Sequence, residues 1–163
     1  DMAFLGMAET DSEGNVNVSK LGKRIVGAGG FINITQNAKR VVYCGTFTAG
    51  GLEIAVAHNR LAIKKEGRIR KFVAQTGEIT FSGRQARKNA QKVLYITERA
   101  VFDLRADGLW LTEIAPGMDL QKDILSVMDF MPKIADPLLV MDERLFGEAP
   151  MGWKMPQQRG NPK

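Results

Sequence analysis

Residues 27–47 read GAGGFINITQNAKRVVYCGTF, and the fold turns on how this stretch is parsed. Three glycines in four positions lead into the short amphipathic run Phe31-Ile32-Asn33-Ile34, and RVVYCGTF follows, apolar and without period-two alternation. The pattern predicts a short helix beginning at the glycines, then a strand covered on both faces. Because strand-like sequence also fills residues 2–10, the order strand, loop, helix, strand implies a parallel sheet with crossover helices. That much bare backbone at a helix start fits a phosphate cradle, an oxyanion hole or a plain tight turn. A dinucleotide fingerprint would need glycine at position 32, where Ile32 stands, and no Gly-Lys-Ser/Thr follows to make a P-loop.

Working outward, Ser12-Glu13-Gly14-Asn15 carries hairpin chemistry between strands expected at 2–10 and 16–19, and Lys20 to Val26 reads as a basic loop. Residues 52–73 change character. LEIAVAHNRLAIKKEGRIRKFV breaks into extended segments with turns at His58-Asn59 and Glu66-Gly67, an antiparallel excursion from the parallel core. A polar helix is expected within 83–91, and KVLYITERAVFDLRADGLWLTEI folds on itself at Ala106-Asp107-Gly108. Asp119 is placed to cap a helix through LQKDILSVM. The expected fold is therefore α/β, a mainly parallel sheet with an antiparallel excursion, spanning residues 1–150. Residues 151–163 form a tail rich in Gly and Pro. A chain that opens on Asp1 rather than Met is expected to be a piece of a longer polypeptide, and so an incomplete domain.

The bulk numbers exclude several classes. With 163 residues, 44% hydrophobic and 25% charged, the chain is one ordinary globular domain. No apolar run approaches the roughly 20 residues of a membrane helix, the first residues show no basic stretch followed by an apolar one, so no secretory signal is expected, and no membrane partner is expected. A single cysteine, Cys44, cannot close an internal disulfide, which points to a reducing, cytoplasmic setting. A single histidine, His58, leaves no Cys/His metal cluster and reads as a turn residue. Cys44 reads as a small apolar member of a buried strand, and Glu98 and Glu113 as surface or ion-pair residues.

The net charge of +5 gathers in two clusters, Arg60 to Lys71 and Arg84 to Lys92. They are expected to be a solvated hairpin and a surface helix. No aromatic residues interleave with the second cluster to stack bases, so nucleic acid is not an expected partner.

GAGGFINITQNAKRVVYCGTFTAGG resembles the glycine loop, helix and strand of family I CoA-transferases, in the half equivalent to the family's β subunit. ITERAVFDL followed by GLWLTEIAPGMDLQKDI resembles the family's next block, in the same order. The GGFINI variant and the long 52–92 excursion are similar to the fused single-chain enzymes that handle acetate and short-chain acyl groups. The resemblance implies ping-pong transfer of CoA between carboxylates through a glutamyl–CoA thioester. By resemblance Gly29 and Gly30 supply backbone N–H groups to the oxyanion, and Gly27, Gly29, Gly30, Phe31, Thr48 and Ala49 lie at the cofactor. CoA thioester is then a substrate, with no tightly bound cofactor and no metal. The implied partners are acyl-CoA, a short carboxylate, a missing N-terminal half or α subunit, and further copies in a homo-oligomer.

Two departures accompany the resemblance. The family's nucleophilic glutamate lies in a Glu-x-Gly segment upstream of the strand that opens this chain, whereas Glu13-Gly14-Asn15 lies downstream of it, so no catalytic glutamate is assigned here. Some relatives carry a lysine in the loop after the RVVYCGTF strand, where this chain reads Thr48-Ala49-Gly50-Gly51. Two rival readings stand beside the transferase. One is a non-catalytic CoA- or nucleotide-binding module, the other a sugar-phosphate isomerase or deaminase of related fold.

Overall fold

The computed structural model describes residues 1–154. The chain begins with β1 (Met2–Gly6), a two-rung hairpin of β2 (Glu9–Thr10) and β3 (Val16–Asn17), and a second ribbon of β4 (Lys20–Leu21) and β5 (Arg24–Ile25). Helix α1 (Phe31–Asn37) leads into β6 (Arg40–Cys44) and β7 (Thr48–Ala49). There follow β8 (Glu53–Ala57), β9 (Arg60–Lys65), β10 (Ile69–Arg70), α2 (Gly83–Lys88), β11 (Lys92–Ile96), β12 (Ala100–Arg105), β13 (Gly108–Ile114) and β14 (Lys133–Val140). Six strands form the main sheet in the order β1-β6-β11-β12-β13-β14. Three of its five junctions are parallel, and β11, β12 and β13 form an antiparallel meander. The sheet is thus mixed with parallel pairing predominant, as the sequence pattern implies.

Alternation sets the core. Val41 and Tyr43 of β6, Val93 and Tyr95 of β11, and Phe102 of β12 are all fully buried on one face, beneath Phe31, Phe81 and Ile124. Two aromatic groups fill it: Tyr43 with Phe31, Phe81 and Tyr95, and Phe47 with Phe72 and Phe102. The hairpin of β8 and β9 stands apart as the antiparallel excursion, turned at His58 and Asn59, both with positive φ. The hairpin at Ala106-Asp107 joins β12 to β13.

Several expectations are corrected. Lys20 to Val26 is a short ribbon rather than a loop. Asp119 does cap the segment after it, accepting from the Lys122 N–H at 2.7 Å, but that segment is one π turn followed by a 3-10 turn. Cys44 is exposed, because it is the last residue of β6 and shares the face of Val42, opposite the core. Exposed apolar residues lie on β1 (Met2, Phe4), β8 (Ile54, Val56) and β14 (Leu139, Val140), while Val41 to Tyr43 are covered within the chain.

Strand β14 is not legible from its pattern. Pro137 inside KIADPLLV argues against a ladder strand, and the strand takes the sheet edge, where a missing donor is tolerated. No helix is long and apolar enough to cross a membrane. Of the expected tail, residues 151–154 are without regular structure and 155–163 lie outside the described residues.

Candidate functional site

Three parallel strands end on one line, Gly6 opposite Cys44 and Cys44 opposite Ile96. The segments leaving them are tied together: the Gly45 N–H donates to Ile96 O at 3.1 Å and the Phe47 N–H to Glu98 Oε2 at 2.8 Å. The carboxyl ends of parallel strands are where open α/β sheets bind ligands. The glycine loop reaches the same end, because Phe31, the first residue of α1, stacks on Tyr43, the penultimate residue of β6.

Within the loop, Gly27 and Gly29 have φ of +87° and +51°, and Gly30 has φ −82° and ψ 1°. A left-handed residue followed by a right-handed one turns successive N–H groups to one side of the backbone, the arrangement that receives anions. The Gly27 N–H donates to Ser19 O at 3.0 Å and the Phe31 N–H to Ala28 O at 3.0 Å. The N–H groups of Gly29 and Gly30 make no hydrogen bond among the described residues. A Cβ at Gly27 or Gly29 would meet nothing within 4 Å, and one at Gly30 would make only ordinary contact with Ile34 at 3.5 Å. Gly30 therefore has neither a positive φ nor a close neighbour that demands glycine.

The other sequence-selected residues are placed differently. Phe31 has its ring in the core and its N–H spent, so neither group faces outward. Thr48 is buried, with its hydroxyl donating to Glu66 Oε1 and accepting from the Gly67 N–H at 3.1 Å. Ala49, half-buried, pairs with Ile69. No hydrogen bond joins Thr48 or Ala49 to the glycine loop among the described residues. Glu13 is held by Arg87 on α2, in the hairpin turn.

Two charged groups at this end escape the sequence reading. Arg99, fully buried, is bidentate to Glu66 (2.7 and 3.1 Å), donates to Glu98 through Nε (2.7 Å) and to Asp123 O (3.1 Å), and lies over the Phe47 ring. Burial acts to raise the Glu66 carboxyl, but hydrogen bonds from Arg99, Thr48 and the Gly67 N–H outweigh it and hold it below the usual carboxylate range. Glu98, read from sequence as a surface or ion-pair residue, is the second partner of Arg99. Lys71, expected on a solvated hairpin, is only 6% exposed, because its segment passes under β2, where the Thr10 N–H bonds Lys71 O at 2.8 Å. The signals were the polar triplet Thr97-Glu98-Arg99 inside an apolar run and a lysine abutting Phe72. No group of three His, Cys, Asp or Glu side chains among the described residues is arranged to hold a metal ion.

The fold is the CoA-transferase fold. No family model matches the chain, but individual relatives do. Over 157 residues, 96% of its length, the chain is 52% identical to the acetate CoA-transferase YdiF of Escherichia coli O157:H7. Over 153 residues, 91% of its length, it is 50% identical to the caffeate CoA-transferase of Acetobacterium woodii. The crystal structure of the Escherichia coli O157:H7 enzyme as a thioester complex with CoA matches with a TM-score of 0.93 over 96% of this chain and 30% of that one. The decarboxylase AibA/AibB, 21% identical, matches with a TM-score of 0.62 over 87% of this chain and 51% of that one, a likeness of fold alone. The chain spans about 30% of the length of the curated relatives it matches. The CoA-transferase resemblance of the three sequence blocks thus agrees with the names of its homologues.

Proposed function

We propose that this chain supplies the glycine-loop part of the active site of a longer CoA-transferase, which moves CoA between a short-chain acyl-CoA and a carboxylate. In this reading a glutamate outside residues 1–163 attacks the thioester carbonyl, the CoA thiolate leaves, and an acyl–glutamyl anhydride forms. The thiolate then attacks the glutamyl carbonyl, releasing the first carboxylate and leaving a glutamyl–CoA thioester. A second carboxylate runs the two steps in reverse. Each step passes through an oxyanion, for which a positioned N–H is worth roughly 2.7–4 kcal/mol. The Gly29 and Gly30 N–H groups are the donors, and the observation that supports this is that both are unspent while nothing within the chain requires glycine at position 30.

The remainder of the transferase provides the glutamate and much of the acyl pocket, and it covers the exposed apolar residues of β1, β8 and β14. The assembly is a cytoplasmic homo-oligomer. Residues 1–163 alone lack the nucleophile and do not turn over acyl-CoA. Incubating the full-length protein with acetyl-CoA and no acceptor is the test. Intact-protein and peptide mass spectrometry should find CoA joined to a glutamate outside residues 1–163. No adduct, or one on Glu13, overturns the reading.

A further inference from the structure

The unexplained group at the carboxyl end of the sheet is Lys71. Lys71 is only 6% exposed, yet its ammonium takes part in no ion pair and no side-chain hydrogen bond among the described residues. The acid whose charge acts on it is Glu98, and both Glu98 oxygens are already engaged, Oε1 by Arg99 Nε and Oε2 by the Phe47 N–H. The Tyr43 hydroxyl is the only buried side-chain polar atom without a partner among the described residues, so the unpartnered Lys71 ammonium reaches solvent at its tip while the rest of the side chain is covered. Gly45 lies against that tip: a Cβ built there would lie 2.8 Å from Lys71 Nζ and 3.7 Å from Met7 O. Gly45 is itself exposed and has no positive φ, so its lack of a side chain leaves the ammonium open to the space beyond the strand ends.

We infer that Lys71 is the carboxylate-binding cation of this site, its ammonium receiving through the gap at Gly45 the carboxylate of the small acid that takes or releases CoA. The inference rests on the transferase reading for the identity of that acid, but not for the anion-binding chemistry itself. A carboxylate supplies the acceptors the ammonium lacks, and the charge-assisted bond it makes is short and strong. Burial, the larger effect, pulls the ammonium below the usual lysine range, and the charge of Glu98 opposes that pull.

The test uses the full-length protein, acetate as probe, and two substitutions. Lys71→Met removes the cation. Gly45→Ala keeps the charge and places a methyl group over it, displacing only the far end of a flexible side chain, so stability should hold. The expected result is a KM for acetate raised at least tenfold in Lys71→Met and several-fold in Gly45→Ala, with the KM for acetyl-CoA unchanged. Acetate binding followed by ligand-observed NMR, which needs no turnover, should weaken in parallel. Unchanged acetate KM and binding in both variants, with any loss confined to the melting temperature of Lys71→Met, would make Lys71 a counter-ion to Glu98 only and overturn the inference. If the protein transfers no CoA yet acetate binding still depends on Lys71 and Gly45, the inference stands and the transferase reading falls.

Discussion

Arg99 grips Glu66 through both terminal guanidinium nitrogens, Nη1 to Oε2 at 2.7 Å and Nη2 to Oε1 at 3.1 Å, while no part of Arg99 is exposed. The pair joins the excursion, at the end of β9, to the turn between β11 and β12, and Glu98 and Asp123 O complete the guanidinium's shell. Arg99→Met strips two carboxylates of their partner, one of them largely buried. Breaking a buried pair from one side costs about 3–5 kcal/mol. Urea denaturation of the variant should show a loss in that range, and a loss below 1 kcal/mol would mean that solvent already screens the cluster.

The same contact makes stability depend on acid. The folded Glu66 carboxyl is held below its unfolded value of about 4.3. As pH falls the unfolded chain takes up the proton first, so the contribution is complete above that value and is lost as pH falls through the folded one. The urea midpoint of the parent should therefore drop between pH 5 and 3 more steeply than that of Glu66→Gln. Parallel pH profiles would remove Glu66 from the account.

The sheet was legible in the sequence because its central strands are short apolar runs between glycine-bearing turns, as RVVYCGTF and ITERAVFDL show. The glycine loop was legible because three glycines before an amphipathic turn have few physical readings. What escaped depends on tertiary placement. In RIRKFV only the neighbouring Phe72 sets Lys71, under β2, apart from Arg68, in solvent. Arg99 becomes buried only because Glu66, 33 residues away, folds back onto it. Cys44 could not be placed because a strand's last residue follows its pleat, and which face was core depended on α1.

Tyr43 carries a hydroxyl that is buried without a hydrogen-bond partner. Burial pushes its pKa far up, and the Thr35 hydroxyl, which acts weakly against this, donates to Ile32 O at 3.3 Å instead. Deleting an unsatisfied buried group removes a desolvation cost of about 1–3 kcal/mol. Tyr43→Phe should leave the melting temperature unchanged or raise it. A fall of several degrees would show that the hydroxyl is satisfied in solution.

The exposed cations of the excursion are not expected to hold CoA. Arg60, Lys64 and Arg68 are exposed, while Arg70 is spent on Asp129 and on the carbonyls of Ser126 and Met128. Neutralising Arg60, Lys64 and Arg68 together in the full-length protein should keep the KM for acyl-CoA within about threefold, under roughly 0.7 kcal/mol. A rise of tenfold or more would place the phosphates of CoA on this hairpin.

Two glycines separate packing from function. At Gly83 a Cβ would lie 2.0 Å from Glu13 O, a backbone atom that cannot yield without moving the β2–β3 hairpin, so Gly83→Ala should lower the melting temperature sharply or leave the protein unfolded. At Gly30 the backbone is right-handed and the nearest atom is Ile34 Cδ1 at 3.5 Å, so Gly30→Val should fold with little loss. If the loop is an oxyanion site, the isopropyl group blocks approach to the Gly29 and Gly30 N–H groups, and kcat in the full-length protein should fall by about 10²–10³, the usual cost of one lost donor. The decisive comparison is activity per folded molecule. A Gly30→Val protein that melts like the parent and also turns over like it would reduce the glycine loop to a turn.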